Sequence, residues 1–306
     1  MAWRISVGAA TSMEPGSRWS GFPEQRRGSD PLSGWLRGAR LEIAPAPGIV
    51  DSVARHLPRG MVIAVTSSAG RGLGPTLRAV EQLVGLGYRA VPHLAARMVR
   101  DGDHLAEVLD RLRAAGVEDV FVVAGDPPHA AGPYASALDL LRAMEELGHR
   151  FVDVGIAAYP EPHPLISGPV LAGALAEKSR HAGYAVSNLC FEAPAVAAWA
   201  HRLRAGGFRL PLYLGVSGPV QQARLLRIAR RIGVGKSVRA LVRDGMPSRE
   251  RYQPAPLLEE LARTLGAPEL GVRGVQLSTF NDVATTERWR RGMVAALGPG
   301  GGTTGS

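Results

Sequence analysis

Short apolar runs alternate with longer amphipathic stretches along most of this chain. The short runs predict eight β-strands, and the longer stretches have the 3.6-residue period of helices. The stretch 103–115 is one example, with apolar residues on one face and Gly116 as a stop signal. The strands are expected at 40–45, 61–66, 88–94, 117–124, 151–158, 185–191, 210–215 and 272–279.

This alternation is typical of parallel strands joined by crossover helices. Eight evenly spaced units, with no Gly-rich dinucleotide turn after the first strand, favour an α/β fold closed into a (β/α)₈ TIM barrel. A doubly wound open sheet is the alternative architecture. The least regular region is 236–266, which we predict to be helical with a proline-broken loop before the eighth strand.

The two ends of the chain lack the pattern of a packed fold. Residues 1–38 are rich in Gly, Ser, Pro and Arg and show no hydrophobic period, so they predict a flexible N-terminal extension. Residues 298–306 are mostly Gly and Thr and predict a disordered tail. We therefore expect a single catalytic barrel domain at 39–297, close to the roughly 250 residues of a typical TIM barrel.

Composition narrows the class of protein only slightly. The chain of 306 residues is 45% hydrophobic and 21% charged, which is ordinary for a globular enzyme. Its net charge is +9, but only two of the 36 basic residues are lysines, a skew that resembles genomic base composition. A basic surface fits phosphate-bearing or polyglutamylated ligands as well as nucleic acid. Since the interleaving of aromatic and basic residues found in RNA-binding modules is missing, no nucleic-acid partner is expected.

Cysteine and hydropathy patterns indicate the compartment. Cys190 is the one cysteine, so no internal disulfide forms, and no Cys/His pair has the spacing of a zinc site. We expect no metal and a reducing compartment. No run of about 18 apolar residues occurs, which predicts a cytoplasmic protein without a membrane span. A homo-oligomer is compatible with the sequence.

Polar residues collect where the predicted strands end, which in a closed barrel is the catalytic face. Glu42 in an apolar strand is either a general acid or a residue at an exposed edge or in an arginine ion pair. Asp126 is either a functional carboxylate or a turn cap, and Tyr159 either packs or stacks on a flat heterocycle. The histidines are better explained as polar residues of the barrel mouth than as metal ligands. The candidates are Glu42, Thr66, His93, Gly125, Asp126, Tyr159, His163, Asn188 and Asn281.

These strand-end segments, taken in order from Glu42 to Asn281, resemble the methylenetetrahydrofolate reductase family. The most specific stretch is 157–164, and Asn188 stands where the family usually has a substrate-binding glutamine. The other matching segments are Leu41-Glu42-Ile43-Ala44-Pro45, Pro92-His93-Leu94, Gly125-Asp126-Pro127-Pro128 and Tyr134-Ala135.

The resemblance implies a barrel oxidoreductase of one-carbon metabolism and methionine biosynthesis that reduces 5,10-methylenetetrahydrofolate to 5-methyltetrahydrofolate. It implies that Glu42 donates a proton to the leaving nitrogen and that ionised Asp126 stabilises the resulting iminium cation. Asn188, Asp126 and Asn281 would bind the substrate. The residues implied on the cofactor side are Thr66, His93, Gly125, Ala135, Tyr159, His163 and Lys178.

Three departures concern the cations expected near FAD and the substrate. Ala124 replaces an arginine, Lys178-Ser179-Arg180 replaces an Arg-Lys pair, and Asp282 replaces another arginine. Each lost cation removes a charge-assisted bond of about 1.5–3 kcal/mol. We therefore hypothesise weak or absent flavin and direct hydride transfer from NAD(P)H. The alternatives are an FAD-containing reductase that uses Arg97 or Arg180 instead, and a non-catalytic folate-binding or regulatory barrel.

Overall fold

The described part of the chain contains ten β-strands. The computed structural model describes residues 30–298 except 69, 162–165 and 232–250. The strands are β1 (Arg40–Ile43), β2 (Val62–Val65), β3 (Arg89–Ala95), β4 (Asp119–Val123), β5 (Asp153–Ala158), β6 (Tyr184–Ser187), β7 (Leu212–Ser217), β8 (Val220–Gln221), β9 (Arg251–Tyr252) and β10 (Val272–Ser278).

Eight of these strands form a closed parallel barrel in the order β1-β10-β7-β6-β5-β4-β3-β2. The first strand closes it by pairing on both sides, so that Glu42 lies opposite Ala64 of β2 and Ser278 of β10. The predicted (β/α)₈ barrel is thereby confirmed over an open sheet, since the outermost strands of an open sheet would not pair. The strands β8 and β9 form a separate antiparallel pair that the sequence did not predict.

Helices follow the barrel strands and surround them, as the periodic stretches predicted. For α4, the side chain of Asp101 accepts a hydrogen bond from the His104 amide at 2.7 Å, and Gly116 adopts a φ of +78° beyond the helix end. The helices are α1 (Pro31–Arg37), α2 (Ile49–His56), α3 (Gly74–Gly85), α4 (Gly102–Ala114), α5 (Ala137–Glu146), α6 (Gly168–Lys178), α7 (Ala193–Ala205), α8 (Gln222–Arg231), α9 (Ala255–Leu265) and α10 (Val283–Ala296), with 3₁₀ turns at Ala96–Met98, Ser179–His181 and Pro268–Leu270.

Alternation along the strands divides the core into two layers. Residues such as Leu41 and Ile43, at most 1% exposed, belong to the layer between the barrel and its helices. The other face of each strand fills the barrel interior with a second cluster. This inner cluster consists of Val91, Phe121, Tyr184, Val186 and Tyr213.

A charged network occupies the interior at the N-terminal end of the strands. The guanidinium of Arg40, which is 2% exposed, donates to Asp119 Oδ2 at 3.0 Å and to the Tyr184 hydroxyl at 2.5 Å. The Tyr184 hydroxyl in turn donates to Asp119 Oδ1 at 2.9 Å. Gly155 makes room for this ring, because a Cβ there would lie 2.3 Å from Tyr184 Cζ. The network pairs a buried cation with an anion and so limits its desolvation cost.

The expected boundary of the N-terminal extension at residue 38 is wrong. Helix α1 lies inside that segment, and Trp35 and Leu36 are fully buried against the barrel unit. The Leu36 carbonyl also accepts a hydrogen bond of 2.8 Å from Arg290 on α10. The apolar face of α1 spans only Leu32, Trp35 and Leu36, which is too short a pattern to stand out in a Gly- and Arg-rich sequence. Residues 1–29 lie outside the described part of the chain.

Two other boundaries differ from the sequence prediction. The sixth strand ends at Ser187 and not at residue 191, because the Asn188 amide makes a bond of 2.7 Å to the Ala158 carbonyl and the chain then turns toward α7. In the irregular region 236–266, the described part contains β9 and α9. Within the described ranges, no helix has the length and apolar character needed to cross a membrane.

Replacing Trp35 with alanine tests whether α1 belongs to the folded domain. The indole is fully buried, so Trp35→Ala should lower the free energy of unfolding by about 3–5 kcal/mol, as other large-to-small core changes do. Urea denaturation followed by circular dichroism measures this, with Arg37→Ala on the same helix as the control. An unchanged midpoint for Trp35→Ala would contradict the docking of α1.

The carboxyl of Asp153 predicts a pH-dependent change in stability. Burial first, and then the charge of the adjacent Asp119, raises the pKa of Asp153 from 3.8 to about 7. A carboxyl whose folded pKa is raised destabilises the native state increasingly as pH rises between these two values. Asp153→Asn should therefore add about 1–3 kcal/mol of stability at pH 8, after allowance for partial solvent screening, and almost none at pH 4.

Chemical denaturation at pH 4 and pH 8 measures this difference. Asp119→Asn is the matched control, because it removes the partner of the buried Arg40 and should lower stability at pH 8, where the carboxylate is needed. An equal gain from Asp153→Asn at both pH values would refute the assigned shift.

Candidate functional site

Glu42 is held at the C-terminal end of the barrel by two neutral donors from β10. Its Oε1 accepts a hydrogen bond of 2.7 Å from the Ser278 hydroxyl, and its Oε2 accepts one of 2.9 Å from the Gln276 amide. The backbone carbonyl of Glu42 also accepts from the Thr279 hydroxyl at 2.8 Å. Sequence reasoning considered an arginine partner and missed Gln276. The available signal was the alternation of Gln276 and Ser278 on one face of the eighth barrel strand.

Asp126 and Tyr159 lie on the loops after β4 and β5. Asp126 is exposed, and among the described residues none forms a hydrogen bond with its carboxylate. Burial first, and then the negative charge of Asp126, raises the pKa of the Tyr159 phenol. A carboxylate without a protein partner beside a half-buried aromatic ring suits a cationic or hydrogen-bonding ligand.

The loop that carries Asp126 is held tightly over the end of β3. Gly125 has a φ of +91°, and a Cβ on it would lie 2.9 Å from Ala95 Cβ. Arg97 fastens the rest of the loop, since its guanidinium donates to the Ala135 carbonyl at 2.9 Å and to the Pro127 carbonyl at 3.2 Å. Of the residues expected on the cofactor side, Gly125 and Ala135 thus have clear structural functions in this loop.

His93 lies inside the barrel beneath the mouth. It is 8% exposed, its ring centroid is 4.7 Å from that of Phe121, and its Nε2 has no hydrogen-bond partner within the described residues. Burial lowers the pKa of His93, the charge of Glu42 opposes this, and Arg40 adds to it. The imidazole is therefore neutral at pH 7. The other candidate histidine, His163, lies outside the described residues.

The remaining candidates at the strand ends differ in how far their side chains are already engaged. Asn188 is half-buried at the end of β6. Both polar atoms of the Asn281 side chain bond to the backbone of Ala44, at 2.8 and 3.0 Å, and so join the ends of β10 and β1. Thr66 accepts a bond of 2.9 Å from the Thr76 hydroxyl through its carbonyl. Asn281 thus has a structural function that its type and position did not reveal.

The cations near the mouth are bonded to the protein itself. The Lys178 ammonium, on a residue that is 9% exposed, donates to the Ala157 carbonyl at 2.9 Å, and burial lowers the pKa of Lys178 to about 8. Arg251 forms an ion pair of 3.1 Å with Asp282, so a guanidinium from β9 lies where the sequence has lost an arginine. In the described part of the chain, no group of three or more His, Cys, Asp and Glu side chains is placed to hold a metal ion.

The closed barrel is that of a (β/α)₈ protein, with the half-buried Glu42 and the exposed Asp126 at the C-terminal ends of its strands. The family described as methylenetetrahydrofolate reductase matches residues 49–240, which is more than half of the chain. The chain belongs to the methylenetetrahydrofolate reductase family. The matched range begins after Glu42 and ends before β10.

Two plant proteins are similar over a short segment. They are a probable methylenetetrahydrofolate reductase (NADH) of Oryza sativa subsp. japonica and methylenetetrahydrofolate reductase (NADH) 1 of Arabidopsis thaliana. Each is 30% identical over 69 residues, which is 20% of this chain and 12% of the plant protein. The match therefore spans only about an eighth of either relative.

Solved structures support the fold at low sequence identity. An uncharacterized protein from Clostridium thermocellum, which binds two copies of 5-methyl-5,6,7,8-tetrahydrofolic acid, aligns with a TM-score of 0.57 and 9% identity over 85% of this chain and 95% of its own. A GH18 chitinase from Pseudoalteromonas aurantia aligns with a TM-score of 0.52 and 8% identity over 84% and 100% of the two chains. Since unrelated activities share it, the fold alone does not determine the reaction.

A pair of glycine substitutions tests how tightly the Asp126 loop is held. Gly125 and Gly148 both have positive φ, but only at Gly125 would a new Cβ contact another residue within 3 Å. Gly148→Ala should cost about 1 kcal/mol through its backbone conformation alone. Gly125→Ala should cost about 1–3 kcal/mol more because it overpacks against Ala95. Urea unfolding of the two variants measures the difference. Equal losses in the free energy of unfolding would show that the loop can move to accommodate the new Cβ.

Proposed function

We propose that this protein reduces 5,10-methylenetetrahydrofolate to 5-methyltetrahydrofolate with hydride from NAD(P)H. The observation that carries the proposal is the placement of Glu42, whose carboxyl is fixed at the barrel mouth by Gln276 and Ser278. Family membership supports the substrate class. The clostridial barrel that binds a methylated tetrahydrofolate has the same fold, which is compatible with a pterin at this mouth.

Opening the five-membered ring of the substrate needs a proton on the leaving nitrogen, and Glu42 is placed to donate it. A general acid must be accommodated both with and without its proton. The Ser278 hydroxyl suits both states, because it donates to the carboxylate and can rotate to accept from the neutral acid. The Gln276 amide holds the other oxygen throughout. The two β10 residues therefore keep the acid oriented through the turnover.

Ring opening leaves an iminium cation, and the Asp126 carboxylate supplies the opposite charge. Asp126 is exposed, in contrast to the half-buried, hydrogen-bonded Glu42. Two carboxyl groups in unlike environments can serve opposite protonation states in one reaction. Asn188 would bind the pterin edge and Tyr159 would stack on its ring. Reduced nicotinamide, when bound, supplies the hydride.

The cations around the mouth do not fit the pyrophosphate of a tightly bound FAD. Ala124 occupies the place of one family arginine. The Arg97 guanidinium is bonded to loop carbonyls, and the Lys178 ammonium is buried against the Ala157 carbonyl. Because a pyrophosphate would have to break these bonds to gain Arg97 or Lys178, and Arg180 is left as a single exposed cation, we infer direct hydride transfer without a resident flavin.

The visible spectrum of the purified protein and an assay with reduced nicotinamide and methylenetetrahydrofolate test the proposal. We expect no bound flavin and nicotinamide oxidation that depends on the folate. Glu42→Gln should lower kcat by about 10²–10⁴-fold, the range typical of general acid catalysis, and leave the binding of 5-methyltetrahydrofolate within about twofold. Glu269→Gln, an exposed glutamate far from the mouth, is the matched control.

Each other outcome identifies a different function. Stoichiometric flavin in the purified protein would replace direct transfer with an FAD-containing reductase. Folate binding without turnover in the wild type would indicate a binding or regulatory barrel. Full activity of Glu42→Gln would remove Glu42 from the mechanism.

A further inference from the structure

A buried polar cluster beside the mouth has no part in the steps above. Cys190 is 2% exposed, and its thiol donates a hydrogen bond of 3.1 Å to Oε1 of Glu161. The Glu192 carbonyl, 3.7 Å from the same sulfur, is a more distant acceptor. Glu161 lies two residues after Tyr159, and Cys190 lies two residues after Asn188. The bond therefore ties the loop after β5 to the loop after β6, just beyond the two side chains proposed to contact the pterin.

Tyr252 of β9 packs from a third segment against Phe191, the neighbour of Cys190 in the chain. It is 8% exposed, and its ring packs edge-on against Phe191 with centroids 5.5 Å apart. Its hydroxyl is buried and has no hydrogen-bond partner among the residues described. Burial first, and then the charge of Cys190, raises the pKa of Tyr252.

A buried hydroxyl without a partner among the described residues costs stability, so its presence needs an explanation. The Tyr252 ring packs on Phe191 next to the buried thiol, and away from water the bond to the Glu161 carboxylate is stronger. The tyrosine hydroxyl adds nothing to that bond. On this account the aromatic ring is needed at this position, and the hydroxyl is not.

We propose that Cys190 is a positioning residue whose hydrogen bond to Glu161 sets the separation of Tyr159 and Asn188 across the mouth. The inference rests on the proposed function, because the two positioned side chains are those assigned to the pterin. It adds a residue that neither the mechanism nor the family resemblance assigned.

The bond can be observed without any assay of activity. Cys190 is the one cysteine of the chain, so the S–H stretching band in the infrared spectrum comes from this thiol alone. We expect the wild-type band at the low frequency of a thiol bonded to a carboxylate, and a shift to higher frequency in Glu161→Gln. A band at the position of a free thiol in the wild type would overturn the proposal.

Ligand binding by two Cys190 variants distinguishes the effect of the hydrogen-bond donor from the effect of side-chain size. Cys190→Ala should weaken the binding of 5-methyltetrahydrofolate and raise KM for the substrate by about tenfold, the worth of one charge-assisted hydrogen bond, with kcat within about twofold. Cys190→Ser keeps a donor and should stay within about twofold of the wild type in both. Tyr252→Phe should leave affinity unchanged and raise Tm by roughly 2–4 °C, since it removes the unpartnered hydroxyl.

Calorimetric titration with 5-methyltetrahydrofolate and thermal melts of all four variants measure these effects. Wild-type affinity in Cys190→Ala, or equal weakening in Cys190→Ala and Cys190→Ser, would overturn the proposal. Wild-type protein that binds the folate without turnover would refute the reductase activity alone, because the affinity series still decides the function of Cys190. Wild-type protein that binds no folate would overturn both.

Discussion

The pairing of β1 with β10 is the contact on which both the closed barrel and the candidate acid depend. The register of these strands puts Ser278 opposite Glu42, and the two side chains are bonded at 2.7 Å. Just beyond, the Asn281 amide holds the backbone of Ala44 through two hydrogen bonds. Closing the sheet therefore also orients the carboxyl, and the position of Glu42 is as rigid as the barrel wall. This is the arrangement that a proton donor needs, because its reach must match the substrate closely.

The two ends of the barrel interior differ in how their polar side chains are hydrogen-bonded. At the N-terminal end, Arg40, Asp119 and Tyr184 bond to one another, although the Arg40 Nε atom has no partner among the described residues. At the C-terminal end, the buried His93 Nε2 atom has no partner among the described residues, and the Asp126 carboxylate is exposed. A buried polar atom is normally paired, so His93 at the catalytic face is open to a ligand.

The chain departs from its family in the basic residues near the barrel mouth more than in its fold. The family match covers residues 49–240, yet Arg97 fastens a loop and Lys178 supports the end of β5. A guanidinium or ammonium that is bonded to backbone carbonyls contributes to local structure at the expense of anion binding. Under the proposed function, the chain would retain the barrel and the acid of a folate reductase without binding a flavin pyrophosphate tightly.

The sequence by itself determined the eight barrel strands, most of their limits and the strand ends at which polar side chains collect, because these follow from local periodicity and turn chemistry. It also pointed to Glu42 and Asp126. Only the tertiary structure decided that α1 packs on the barrel, that the Asn281 side chain bonds to the Ala44 backbone, and that Cys190 bonds to Glu161. The partner of Glu42, Gln276, lies 234 residues away in the chain. Such contacts depend on strand register and barrel closure, which are properties of the whole sheet and leave no trace in a short window of sequence.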